Sequence, residues 1–230
     1  MHVLYHSPPS IGHWAMIRAL LAVLLFNALA LGIFIASYLA YARRPHPASF
    51  ILCMVMPLLL LLLLALQNRQ RRRLGLTWAD IGFHQPQRSM WQLLWQIPAA
   101  LLLLVLAYKA CLLMIEPLPD DPIFKPLAPW WFFAVSAALL IPLTEEIAFR
   151  GLFFYYLQAR CGYWGLLGWS SLLFALGHMG PGLLPLLPYY LLLGLLFGLI
   201  RLHHHNLWAS VALHTAVNLG VVLFTLLGVY

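Results

Sequence analysis

Along this chain apolar and polar positions do not alternate. They gather into long apolar blocks at about 14–41, 50–66, 91–115, 130–157, 164–178, 183–201 and 207–228, separated by short polar stretches. Such blocks are apolar all round rather than along one stripe, which is the pattern of helices that meet lipid. Roughly 20 residues cross a hydrocarbon core, so the pattern predicts about seven membrane helices. A backbone in lipid must satisfy its own hydrogen bonds, which leaves the helix as the spanning element. The fold class expected is all-α, a polytopic transmembrane helical bundle. The first block is much too long for a cleavable signal, whose apolar stretch is roughly 7–15 residues. Ala40, Tyr41 and Ala42 resemble a cleavage site, but the block before them already spans a bilayer and is read as an uncleaved first helix.

The polar stretches set the orientation. Residues 67–90 form the one sizeable loop, with room for a short helix lying on the membrane, and carry Arg69, Arg71, Arg72, Arg73 and Arg88. Positive charge concentrates on the cytoplasmic side, so this loop is expected inside, together with Arg160 and Arg201. The 116–129 connection, made extended by Pro117, Pro119, Pro122, Pro126 and Pro129, is expected outside with Glu116, Asp120 and Asp121. Arg43 and Arg44 fall on the wrong side of this scheme. The composition agrees with a membrane protein: 63% of residues are hydrophobic and only 8% charged, too few to solvate a soluble domain. The net charge of +7 lies in juxtamembrane arginines that face anionic head groups, so nucleic acid is not an expected partner. Cys53, Cys111 and Cys161 have no metal or disulfide spacing and are read as structural.

The chemistry is expected at the acids inside the apolar blocks. Glu145 and Glu146 interrupt the fourth block, and an ionisable group at that depth costs several kcal/mol unless it is used. Glu146 and Arg150 are i,i+4 on one face and can neutralise each other, which leaves Glu145 with no partner in its own helix. His178 closes the fifth block, one turn after Phe174. His214 lies within the seventh, one turn before Asn218. Convergence of these groups on one wet cavity would satisfy them all, and such a cavity has the parts to hydrolyse an amide: a glutamate base, a histidine to pass a proton, and donors for the oxyanion. No serine or cysteine sits beside a base. Zinc held by Glu145, His178 and His214 is a second chemistry for the same residues, although no H-E-x-x-H is present. It ranks second because a zinc histidine normally leans on another acid, and Arg150 is expected to claim Glu146.

These residues carry a resemblance. Glu145-Glu146-Ile-Ala-Phe-Arg150, Phe174-Ala-Leu-Gly-His178 and His214-Thr-Ala-Val-Asn218 resemble, in order, the three motifs of the CPBP family of CAAX prenyl endopeptidases and bacteriocin-processing proteins. The segments Gly194–Gly198 and Asn206–His214 are similar to the stretches between them. The resemblance covers about residues 130–228 and implies an intramembrane endopeptidase acting on a membrane-associated or lipidated protein substrate. Glu145 would activate water and His178 assist, while His214 with Asn218 would form the oxyanion hole. Glu146, Arg150 and Phe174 would support the site or grip substrate. The family has been described both as metal-dependent and as glutamate-dependent, so the cofactor expected is none, with zinc the alternative. A multi-pass protein of the bacterial inner membrane is the expected setting.

The chain is thus expected to divide into residues 1–129, membrane helices with a basic loop, and residues 130–230, the catalytic core whose last four helices build the site. A proton-coupled transporter is the non-enzymatic alternative, but neither internal repeats nor paired broken helices are evident. His203, His204 and His205 resemble a metal tract but sit in a polar turn. Gly194 and Gly198 are read as a close helix-packing face. One difficulty stands out. His178 lies roughly 21 Å along its helix from residue 164, whereas His214 lies only about 10 Å from residue 207. They share a cavity only if the fifth helix stops short at a broken segment around Pro181–Pro188.

Overall fold

The structure is a computed structural model that describes residues 12–18, scattered positions between 21 and 32, and residues 47–113, 136–179 and 183–227. Most of the first apolar block, Arg43, Arg44 and the proline-rich 116–129 connection lie outside the described residues. The described chain is all helical, with seven α-helical segments: α1 Pro47–Arg73, α2 Leu93–Leu112, α3 Ile141–Glu146, α4 Phe154–Gln158, α5 Tyr163–Gly177, α6 Leu187–His204 and α7 Leu207–Leu227. These are not the seven membrane helices of the sequence pattern. From Ser136 on, the fourth apolar block is one composite rod, in which α3 and α4 alternate with π-helical turns at Ser136–Leu140 and Ile147–Phe153. Among the described residues three helical stretches, Met90–Leu112, Leu184–His204 and Leu207–Phe224, are long and apolar enough to cross a membrane. Large apolar side chains on α2, such as Leu94, Trp95 and Leu102, point outward, as lipid-facing positions do, and so does Trp91 in the turn just before it.

The helices end where local chemistry dictates. α1 runs past its apolar block because arginine is a good helix former and favours the negative C-terminal end, where Arg71, Arg72 and Arg73 make the last turn. It stops at Gly75, whose φ of +70° suits glycine. The Leu76 N–H then reaches back to Arg71 O and the Gly75 N–H to Arg72 O, a paired closure of the helix end. Between α6 and α7, His205 takes the left-handed conformation and Asn206 caps α7, its Oδ1 accepting from the Trp208 N–H at 2.7 Å.

The basic loop docks on this turn. Leu207 N–H donates to Gly82 O, Gln87 N–H to His204 O, and the Asn206 amide to His84 O. Gly82, at φ +106°, lies flush against the Arg201 guanidinium, where any Cβ would collide. The histidine tract belongs to this joint: His203 Nε2 donates to Gln92 Oε1 and His204 Nε2 to Gln96 Oε1, both at 2.8 Å. His205 is held below its ordinary pKa by burial and then by the charge on Arg201, so it is neutral at neutral pH. Arg201 and the 74–89 loop therefore share one end of the bundle, the end toward which the composite rod descends as Gly151 meets Ile81 and Leu207.

Two contacts position the site. Gln67, buried on α1, donates its amide to the carbonyl of Thr144 at 2.8 Å, tying α1 to the residue just before Glu145. α6 lies close on α5 through its glycines: a Cβ on Gly194 would stand 2.9 Å from Ser171 Cα, and one on Gly198 would stand 2.7 Å from the Leu167 side chain. We therefore expect Gly194→Ala to lower the thermal unfolding midpoint in detergent, by an overpacking cost of about 1–3 kcal/mol. Gly168→Ala in α5, where an added Cβ meets nothing within 4 Å, should hold or raise the midpoint, by about 1 kcal/mol of helix propensity. Equal midpoints for the two variants would contradict the close packing.

Candidate active site

Glu145 and Glu146 end α3, and Arg150 lies in the π turn that follows. Such a local change of pitch recurs at functional sites because it re-aims the side chains on either side of it. Glu146 and Arg150 are fully buried, and Arg150 Nη1 donates to Glu146 Oε1 at 3.2 Å, so the pair read from their i,i+4 spacing is present. Arg150 Nη2 also donates to Gly194 O at 2.8 Å, crossing to α6 where the absence of a side chain brings the helices close. The guanidinium is walled by aromatic faces, its Cζ lying 4.6 Å from the Phe174 centroid and 5.3 Å from that of Phe197. A desolvated cation over such faces gains about 2 kcal/mol or more from each good contact.

One expectation is corrected. Arg150 does not monopolise Glu146: His214 Nδ1 lies 3.0 Å from the same Oε1. A carboxylate oxygen has two lone pairs and accepts from both. His178 is anchored in parallel, its Nδ1 lying 2.8 Å from the Phe174 carbonyl. A carbonyl and a carboxylate can only accept, so each ring places its N–H at Nδ1. In the neutral ring Nε2 then carries a lone pair.

Both Nε2 atoms face one atom. His214 Nε2 is 3.8 Å and His178 Nε2 3.9 Å from Glu145 Oε2. The depth difficulty is thereby resolved. α5 ends at Gly177 after 15 residues, about 22 Å and short of a full crossing, and among the described residues the next helical structure begins at Leu184. The stretch that interrupts it includes positions 180–182, which lie outside the described residues. His178 thus stands at the level that His214 reaches two turns into α7. Phe174, fully buried, touches both rings, at 4.4 Å from His178 and 5.8 Å from His214. Asn218, half-buried, follows His214 by one turn. The cluster is graded in exposure: the side chains of Glu146 and Arg150 are 0% exposed, His214 3%, Glu145 13% and His178 23%. Glu145, not Glu146, is the acid that an incoming molecule can touch.

Sequence reasoning missed three supports. Tyr190 stacks on His178 at 4.8 Å, Phe197 stacks on His214 at 4.3 Å, and the Gly194 carbonyl receives Arg150. An aromatic residue with a polar tip inside an apolar block was the available signal for Tyr190. Nothing in the sequence marks a carbonyl.

A model of the Rce1-like type II CAAX prenyl endopeptidases matches residues 127–220. The chain carries a domain of that family. The match spans every residue of the cluster just described and implies a membrane protease acting on proteins. No curated protein and no solved structure matches the chain. Within the Rce1-like domain the ligand types for zinc are present, and their Nδ1 anchors resemble those of metal-bound histidines. The spacing differs: zinc ligands in a tetrahedron lie about 3.4 Å apart, less than the two separations here. Among the described residues no group of three or more His, Cys, Asp or Glu is arranged to hold a metal ion.

The buried pair generates a stability prediction. Arg150→Ala should lower the yield of folded, detergent-stable protein far more than Glu146→Gln does. It strands a buried carboxylate, at about 3–5 kcal/mol, whereas glutamine keeps an acceptor for both neighbours. Size-exclusion profiles of the two variants test this, and wild-type profiles for both would contradict the ion pair.

Proposed function

We propose that this protein is an intramembrane endopeptidase that hydrolyses a peptide bond of a membrane-associated or lipidated protein, using a water activated by Glu145. The observation that carries this reading is the meeting of three acceptors, Glu145 Oε2 and two histidine Nε2 atoms, at separations too wide for direct hydrogen bonds. Such a meeting point suits a molecule that donates, and polar groups more than about 3.5 Å apart are commonly joined through water. Water supplies two hydrogens to three acceptors, so the cluster is complete when it also holds one proton on an imidazole.

In this scheme Glu145 takes a proton from the water as its oxygen attacks the scissile carbonyl carbon. The carbonyl oxygen becomes an oxyanion that the Asn218 amide and a protonated His214 Nε2 stabilise. Glu146 accepts from His214 Nδ1 and so holds the ring with Nε2 toward the site. His178, the more exposed ring, takes at its Nε2 the proton that Glu145 collected from the water and passes it to the leaving amine nitrogen as the C–N bond breaks. Arg150 and Phe174 hold the frame, with residues 130–230 as the catalytic core and 1–129 as the segment that buttresses it through Gln67. A bacterial inner membrane with the arginine-rich loop on the cytoplasmic side is the setting we propose.

The test is mass spectrometry of membrane-protein termini from cells that express either the wild-type chain or Glu145→Gln. Glutamine keeps the volume and cannot take the proton. We expect new termini only with the wild type, at equal amounts of folded protein. Identical termini with the glutamine variant would remove Glu145 as the base.

One observation favours a zinc-dependent version of the same peptidase: both histidines are held at Nδ1 by an acceptor, as metal-bound histidines are. We expect the purified, active protein to hold well under one equivalent of tightly bound metal and to keep its activity through prolonged chelation. Stoichiometric zinc by elemental analysis, lost together with activity and restored with it, would replace the glutamate–water scheme.

A further inference from the structure

At the end of α1 the chain builds a feature that the peptidase chemistry does not use. Ala65, Asn68, Arg69, Arg72 and Arg73 line an open cavity of about 370 Å³. Arg71, on the opposite side of the same turn, is committed elsewhere. It is buried, bonds the Leu76 carbonyl and Asn68 Oδ1, and lies under the Trp78 ring. The bond from Arg71 occupies the Asn68 amide oxygen and leaves its NH2 group as the donor end. Arg69, Arg72 and Arg73 are exposed and have no hydrogen-bonding or acidic partner among the described residues. The one acid in the adjoining loop, Asp80, is engaged by Thr77. Three guanidinium groups and an amide therefore meet in one cavity with no balancing acid among the described residues, an arrangement that fits phosphate oxygens.

The other half of the ligand is written along the same face. Leu58, Leu61 and Leu62 are exposed by 64%, 51% and 56%, and with Ala65 they continue the line of Arg69, Arg72 and Arg73 at helical spacing. An apolar stripe that runs directly into a basic cavity complements a molecule with acyl chains and a phosphate head. A soluble phosphate would use the arginines and leave the leucines bare. We infer that the C-terminal end of α1 is a binding site for one anionic phospholipid, its phosphate held by Arg69, Arg72 and Arg73 and its chains lying on the Leu58–Ala65 face. This inference does not depend on the peptidase reading.

The full chain in nanodiscs made of equal parts phosphatidylcholine and phosphatidylglycerol tests it, with the lipids retained on the protein counted by native mass spectrometry. The wild type should retain phosphatidylglycerol in preference to phosphatidylcholine. Each arginine-to-glutamine change in the cavity should reduce that preference about fivefold. Arg88→Gln, an exposed loop arginine outside the cavity, should leave it unchanged. Excess inorganic phosphate should not displace the lipid. Arg72→Gln alone compared with Arg88→Gln decides the matter even if a variant combining Arg69→Gln, Arg72→Gln and Arg73→Gln fails to fold. Equal retention of the two lipids by the wild type, or an Arg72→Gln variant indistinguishable from Arg88→Gln, would overturn the inference. Displacement by inorganic phosphate would make this a site for soluble anions and would equally overturn it.

Discussion

A single carboxylate oxygen, Glu146 Oε1, accepts from Arg150 on its own rod and from His214 on α7, in surroundings fully closed to solvent. An ionised carboxylate there is tolerable only because two donors meet it, and a guanidinium there only because Glu146, the Gly194 carbonyl and the aromatic walls meet it in turn. Much of the bundle follows from this. The reach of Arg150 to Gly194 O requires α6 to lie close, which is what glycines at 194 and 198 allow against α5. The bond to His214 fixes which ring nitrogen faces Glu145. Remove the shared oxygen and both the helix packing and the tautomer lose their anchor.

The same constraint separates the two acids. Glu146 is spent on structure and is sealed. Glu145, its immediate neighbour, projects on a different side of the rod and faces two ring nitrogens whose rings are themselves tied back by carbonyl and carboxylate. A sealed acid and an accessible one are thus set side by side by helical geometry alone. The pull of Gln67 on the Thr144 carbonyl holds that geometry from outside the Rce1-like domain, which gives the N-terminal helices a mechanical part in it.

Much of this was legible in the sequence. The i,i+4 spacing of Glu146 and Arg150 foretold their pair, and the lack of a partner in its own helix set Glu145 apart; of the expected break at Pro181–Pro188, Pro185 and Pro188 instead lie in the helical start of the next span. Apolar blocks located the helices, although α1 outran its block because arginines extend a helix as readily as leucines do. What was not legible depends on contacts between distant segments. No periodicity announces a π turn, and no residue type announces that one oxygen will serve both an arginine and a histidine sixty-eight positions away. The histidine tract, read as a polar turn rather than a metal site, has partners of the same distant kind: His203 and His204 donate to Gln92 and Gln96, more than a hundred residues earlier.

The central claim is that both histidines are held by N–H at Nδ1 and offer Nε2 to Glu145. Nitrogen NMR of histidine-labelled protein reads this directly, with His178→Ala and His214→Ala assigning the signals. The account predicts protonated Nδ1 in both rings, and for His214 a signal that shifts when Glu146 becomes glutamine. A neutral His214 with its proton on Nε2 and a bare Nδ1 would contradict it.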